Sequence, residues 1–141
     1  MSDYIIETKN LTKQYGTQTS VSGLNIHVKK GQIYGLLGRN GAGKTTTMKM
    51  LLGLTTPTSG EVYIFGKNIQ KSSDKILPHI GSLIESPGFY PNLTATENLR
   101  IFAELRGIKN PKTIKNALEL VSLPYRDKKL FSQYSLGMKQ R

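Results

Sequence analysis

Residues 38–45 read Gly38-Arg39-Asn40-Gly41-Ala42-Gly43-Lys44-Thr45. They satisfy G-x-x-x-x-G-K-[ST], the P-loop pattern. The residue types suit a triphosphate, which carries several negative charges and needs many donors at close range. Glycines let backbone N–H groups approach a phosphate without a Cβ in the way. The loop runs into a predicted helix, whose first N–H groups and partial positive charge favour anions. Lys44 adds a full positive charge at the β- and γ-phosphates. The Thr45 hydroxyl is expected on Mg²⁺, and Thr46 can donate to the α-phosphate. A Gly-rich turn with a chance Lys is the plainer alternative. The context argues against it. Ile33-Tyr34-Gly35-Leu36-Leu37 lies directly before the loop and is almost continuously apolar, as in a strand buried on both faces. A helix follows directly, from about Lys44, with Met48, Leu51 and Leu52 on its apolar face and a stop near Gly53.

Outward from this loop the chain is mixed strand and helix. Tyr4–Thr8 reads as a short strand, and Leu24, Ile26 and Val28 alternate with Asn25 and His27 as in a half-buried strand. Lys30-Gly31 is a turn. Val62–Phe65 is a further strand ended by Gly66, and Ile80–Ile84 another, with Glu85 at its carboxyl end. Beyond Ser86-Pro87 the pattern becomes helical. Thr94-Ala95-Thr96-Glu97 matches a capping box before an apolar run that continues to Gly107. Asn110-Pro111 opens the next helix, with Ile114, Ala117, Leu118 and Val121 as its buried stripe and Pro124 ending it.

Composition narrows the class. The chain has 141 residues, with no Cys. That excludes a disulfide scaffold, a thiolate metal site and a cysteine nucleophile, and it fits a reducing compartment. No apolar run approaches the ~18–20 residues that span a bilayer. Met1-Ser2-Asp3-Tyr4 shows no basic region followed by an apolar stretch, so no signal peptide is expected. Lys and Arg number 20 against 9 Asp and Glu, a formal charge of +11. Such a balance usually suggests nucleic acid or an anionic surface. Here the basic residues are spread from Lys9 to Arg141, and only Lys44 has a phosphate role, so nucleic acid is not the expected partner.

Several stretches together resemble ATP-binding cassette (ABC) ATPases. Arg39-Asn40-Gly41-Ala42 with Thr45-Thr46 looks like that family's P-loop. Lys13-Gln14-Tyr15-Gly16 resembles its aromatic A-loop, and Pro57-Thr58-Ser59-Gly60 with Val62 and Gly66 resembles the segment after the P-loop helix. Tyr134-Ser135-Leu136-Gly137-Met138-Lys139-Gln140-Arg141 resembles the signature motif. Order and spacing agree over essentially the whole chain. The resemblance implies an α/β fold: a P-loop NTPase core of ABC type, with an antiparallel β subdomain and a partial α-helical subdomain. Residues 1–86 are then the ATP-binding core with β subdomain and P-loop, and 87–141 the helical subdomain up to the signature.

The resemblance also implies a site. Tyr15 stacks on adenine, a contact worth about 1–3 kcal/mol by analogy with base–aromatic stacking. Gly38, Asn40, Gly41, Ala42, Gly43, Lys44, Thr45 and Thr46 hold ATP and Mg²⁺. Ser135 and Gly137 reach the γ-phosphate of ATP held by a second subunit, a head-to-tail homodimer or its equivalent. Transmembrane permease subunits are the implied partners, which puts the chain in the cytoplasm, on the inner face of the membrane. Two departures are informative. Glu85 stands where the family usually has the Q-loop Gln, and a carboxylate there can ligate Mg²⁺ or its water, or couple to a membrane partner. Leu136 stands where the first glycine of a Gly-Gly pair is common. Both look like the bacitracin- and lantibiotic-resistance branch of exporters.

The family continues past the signature helix to a Walker B strand, a D-loop and a switch histidine. The 141 residues are accordingly read as the N-terminal portion of a longer domain, truncated before Walker B. The expectation is weak binding of ATP or ADP by this portion and no meaningful hydrolysis. ABC-type ATPases that act on ribosomes or nucleic acid, and a nucleotide-binding module without catalysis, are the alternatives.

Overall fold

The structure is a computed structural model that describes residues 3–84, 88–110 and 112–141. They form two compact units, Met1–Ile84 and Glu85–Arg141.

The first unit is an antiparallel sheet with two helices against it. Strand β1 (Tyr4–Tyr15) is its longest. β2 (Gln18–Leu24) and β3 (His27–Lys29) pair with β1, and β4 (Ser59–Ile64) pairs with it too, followed outward by β5 (Lys67–Asn68). Helix α1 (Lys44–Leu51) and helix α2 (Ile69–Ile76) complete the unit. Leu11, Val21, Met50, Val62, Ile64, Ile69 and Ile76 form its core. Burial of Val62 and Ile64 at alternate positions follows the two-residue period of a strand. The β4–β5 turn places Phe65 and Gly66 at φ 52° and 72°, the positive values that a tight right-twisted hairpin requires.

Several sequence expectations are corrected here. The first strand runs to Tyr15 rather than ending at Thr8, because a two-residue turn at Gly16-Thr17 sends β2 back along it, with Tyr15 opposite Gln18. The predicted strand over 24–28 is interrupted. Thr8, fully buried, donates its hydroxyl to Leu24 O at 2.9 Å and accepts from Ile26 N–H at 2.8 Å, which satisfies the backbone at the break. The alternation itself survives, with Ile26 and Val28 buried and His27 exposed. The predicted strand over 33–37 is absent. Its apolar pattern suits burial, but among the described residues no segment pairs with it, and Ile33 and Leu37 are 103% and 92% exposed. Ile80–Ile84 is likewise not a strand; Ile80 alone packs on the core, and Leu83 is exposed. On α1 the buried residues are Thr47 and Met50, with Leu52 just past its end, while Met48 is exposed. Thr47 tolerates burial because its hydroxyl donates to Gly43 O at 2.9 Å.

The second unit is helical: α3 (Ala95–Leu105), α4 (Lys112–Leu120) and α5 (Leu136–Lys139). The capping box forms as predicted. Thr94 Oγ1 accepts from Glu97 N–H at 3.2 Å, and Glu97 Oε2 accepts from Thr94 N–H at 2.8 Å. These bonds to Thr94 hold the Glu97 carboxyl below its ordinary pKa. Ala95, Leu118 and Tyr134 are the buried centre, with Leu99, Ile114, Phe131 and Met138 packed around them. Of the predicted α4 stripe only Leu118 is fully buried; Ala117 and Val121 border a hollow of about 300 Å³. α4 stops before Pro124, where Ser122 takes a left-handed φ of 56°.

Asn98 and Tyr134 are buried polar side chains of this unit with opposite hydrogen-bonding situations. Asn98, 1% exposed, accepts from Tyr90 N–H at 2.7 Å and donates to Tyr90 O at 3.0 Å and Thr94 O at 3.1 Å. It ties the turn before α3 to the helix. Asn98→Ala leaves the Tyr90 N–H without its partner and is expected to cost about 1–3 kcal/mol, read as a lower urea midpoint. Tyr134 is 4% exposed, and its hydroxyl has no hydrogen-bond partner among the described residues. Burial, and secondarily the charge of Asp127, raises its pKa above the ordinary 10.0. A raised folded pKa means the neutral phenol is favoured below that ordinary value, and stability is lost as pH rises through the folded one. Tyr134→Phe is therefore expected to remove an alkaline unfolding step seen by tyrosinate absorbance, without lowering the neutral-pH midpoint.

Candidate functional site

The P-loop occupies the connection into α1. Gly43 is the N-cap of that helix, at φ 84°. A Cβ built on it would lie 2.3 Å from Ser20 O and 2.8 Å from Val21 Cγ2. The loop backbone thus rests directly on β2. The β1–β2 register slips by one between the pairs Lys13–Val21 and Gln14–Thr19. Ser20 is the extra residue, a β-bulge, and its carbonyl is the one Gly43 meets. Gly41 also has a positive φ, 83°, but a Cβ there would meet open space.

The first intrahelical bond runs from Thr47 N–H to Gly43 O at 2.8 Å. The N–H groups of Lys44, Thr45 and Thr46 precede it and have no acceptor within the helix. No acidic residue stands in this first turn. Lys44 Nζ donates to Gly38 O at 2.6 Å and to Arg39 O at 2.8 Å, folding the ammonium back over the loop. Ala42 N–H donates to Arg39 O at 3.1 Å and closes the turn. Thr45 is exposed and Thr46 half-buried; among the described residues neither hydroxyl is engaged. A hollow of about 230 Å³ lies beside the loop, lined in part by Ser22, Leu36, Ala42 and Lys44. Free helix-terminal donors and a cation bound only to carbonyls form a donor set that fits a polyphosphate. Among the described residues no cluster of three or more His, Asp or Glu is placed to hold a metal ion.

Tyr15 ends β1 and is 49% exposed. Its partner strand is the one that carries Ser20, so a single hairpin bears the aromatic ring and supports Gly43. Lys13 Nζ lies 4.9 Å from the Tyr15 ring centroid. Lys13 and Tyr15 share a face because β1 runs on to Tyr15; a first strand ending at Thr8 does not place them together. Nothing in the sequence marked Ser20, because a bulge is decided by pairing. In the second unit Ser135 caps α5, accepting from Met138 N–H at 3.3 Å, and Ser135 and Gly137 are both exposed. Nothing lies within 4 Å of a Cβ built on Gly137. Glu85 lies outside the described residues.

The chain belongs to the ABC transporter family, whose model matches residues 21–141. It is 57% identical over 139 residues to the bacitracin transport ATP-binding protein BcrA of Enterococcus faecalis, covering 99% of this chain and 45% of that protein. It is 41% identical over 137 residues to the lantibiotic transport ATP-binding protein SrtF of Streptococcus pyogenes, covering 97% of this chain and 58% of that protein. A solved ATP-binding subunit of an ABC transporter superposes with a TM-score of 0.81 at 29% identity, over 96% of this chain and 58% of that one. The dimeric post-hydrolysis state of an ATP-binding cassette bound to ADP and Pi matches with a TM-score of 0.78 at 26% identity, over 96% of this chain and 65% of that one. The chain therefore spans just under half the length of its bacitracin relative. The fold is that of the P-loop ABC ATPases, and no helix among the described residues is long and apolar enough to cross a membrane.

The two loop glycines are expected to separate on substitution. Gly41→Ala costs about 1–2 kcal/mol for its left-handed backbone. Gly43→Ala adds a collision with the Ser20 carbonyl, so it lowers the melting temperature further in a thermal melt.

Proposed function

We propose that the chain is the nucleotide-binding part of the ATP-binding subunit of a bacterial exporter for a peptide antibiotic of the bacitracin or lantibiotic type. One observation carries the nucleotide reading: the donor set at the head of α1, where Lys44 and three free N–H groups face outward from a loop clamped on β2. The names of the similar proteins support the substrate class.

In this reading Gly38, Asn40, Gly41, Ala42 and Gly43 present backbone to the β-phosphate. Lys44 leaves the loop carbonyls for the β- and γ-phosphates, Thr46 serves the α-phosphate, and Tyr15 stacks on adenine. Thr45 supplies the hydroxyl for Mg²⁺, which when bound neutralises charge shared between the β- and γ-phosphates. Glu85 is the second proposed Mg²⁺ contact. Ser135 and Gly137 serve ATP held by a second subunit in a head-to-tail dimer. The whole protein works with transmembrane permease subunits on the cytoplasmic face of the membrane, and ATP hydrolysis drives export. Residues 1–86 are the ATP-binding core and 87–141 the helical subdomain that carries Ser135 and Gly137.

Lys44→Ala is the decisive test. It is expected to weaken ATP binding at least tenfold by calorimetry, about 1.4 kcal/mol or more, and to abolish bacitracin resistance in cells that also express the permease. Unchanged affinity would remove Lys44 from the phosphate site.

A further inference from the structure

We infer that Lys13 is a positioning residue for the adenine platform, an inference that rests on the proposed stacking of the base on Tyr15. Lys13 and Tyr15 are two apart on β1 and share one face. The Lys13 ammonium stands over the Tyr15 ring, 4.9 Å from its centroid. It also donates to Thr56 O at 2.7 Å. A cation over an aromatic face is attracted by the ring quadrupole. One face of the Tyr15 ring is thereby covered and its orientation held, while Tyr15 as a residue remains 49% exposed.

The second anchor gives this arrangement a purpose beyond packing. Thr56 lies in the segment that follows α1, the helix whose opposite end carries Lys44 and Thr45. That segment is fastened to β1 by more than Lys13. Thr58 N–H donates to Thr12 O at 2.9 Å, and Gln14 N–H donates to Thr58 Oγ1 at 3.0 Å. The C-terminal turn of α1 is closed by Leu54 N–H on Lys49 O at 2.9 Å. A continuous path therefore runs from the Tyr15 ring through Lys13 and Thr56 to α1 and the phosphate loop. Lys13 sets the base platform at a fixed spacing from the phosphate cradle, and it does so without touching the phosphates.

The test compares a ligand that has a base with one that lacks it. ATP and inorganic tripolyphosphate are titrated by calorimetry into the wild-type protein, Lys13→Met, Lys13→Arg, Tyr15→Ala and the double variant. Lys13→Met is expected to weaken ATP about 2- to 5-fold, the range of an exposed cation–aromatic contact. Tripolyphosphate binding stays unchanged, which also shows that the variant is folded. Lys13→Arg restores ATP affinity, and Lys13→Met has no further effect in the Tyr15→Ala background. Equal losses for ATP and tripolyphosphate, or no loss for either, overturn the inference. If Tyr15→Ala itself leaves ATP affinity unchanged, the stacking reading falls and takes this inference with it. If Tyr15→Ala weakens ATP while Lys13→Met does not, only the role of Lys13 falls.

Discussion

At Gly43 the backbone of the phosphate loop lies against the backbone of β2 with no space for a side chain between them. A Cβ there would sit 2.3 Å from the Ser20 carbonyl. This approach sets the rest of the first unit. It starts α1 at Lys44, and it puts Thr47 and Met50, three residues apart, on the buried side of the helix. It also frees the first-turn donors from the sheet. The approach depends in turn on the bulge at Ser20, which inserts one residue into β2 and turns its carbonyl toward the loop.

The same hairpin carries Tyr15, so the proposed base platform and the proposed phosphate site share one element. The bonds from Thr12, Lys13 and Gln14 to the 56–58 segment close a second connection between them, around the far end of α1. Under the proposed function, positioning of this kind matters because catalysis of phosphoryl transfer is mostly placement and electrostatics. Lys44 illustrates the electrostatic side. Its ammonium rests on two loop carbonyls, neutral acceptors that make weaker bonds than a charged oxygen makes. In the second unit Asn98 plays a comparable structural part, satisfying both polar groups of the Tyr90 peptide at the entrance to α3.

Much of this was legible in the residues. Glycine at 41 and 43, Lys44 and the two threonines are a compact local signal, since a loop of this kind is determined by backbone freedom and charge within eight residues. The Thr94–Glu97 capping box was equally local and formed as written. The apolar runs misled where they were read as paired strands. Ile33–Leu37 has the hydrophobicity of a doubly buried strand, yet a strand also needs hydrogen-bonding neighbours, and hydrophobicity carries no information about which segment supplies them. Met48 and Met50 show the same limit on a helix. Both are apolar, and only contact with β2 and β4 decides that Met50 is the buried one.

The amino-acid sequence by itself determined the class of fold, the P-loop pattern and the family to which the chain belongs, because each depends on residue types at short, fixed spacings. The tertiary structure alone decided that β2 bulges at Ser20, that Gly43 rests on that bulge and that Lys13 holds Tyr15 from one side while gripping Thr56. Two of those contacts, Gly43 on Ser20 and Lys13 on Thr56, join residues 23 and 43 positions apart. Strand register and side-chain hydrogen bonds at that range follow from how the sheet packs on α1, which no local pattern encodes.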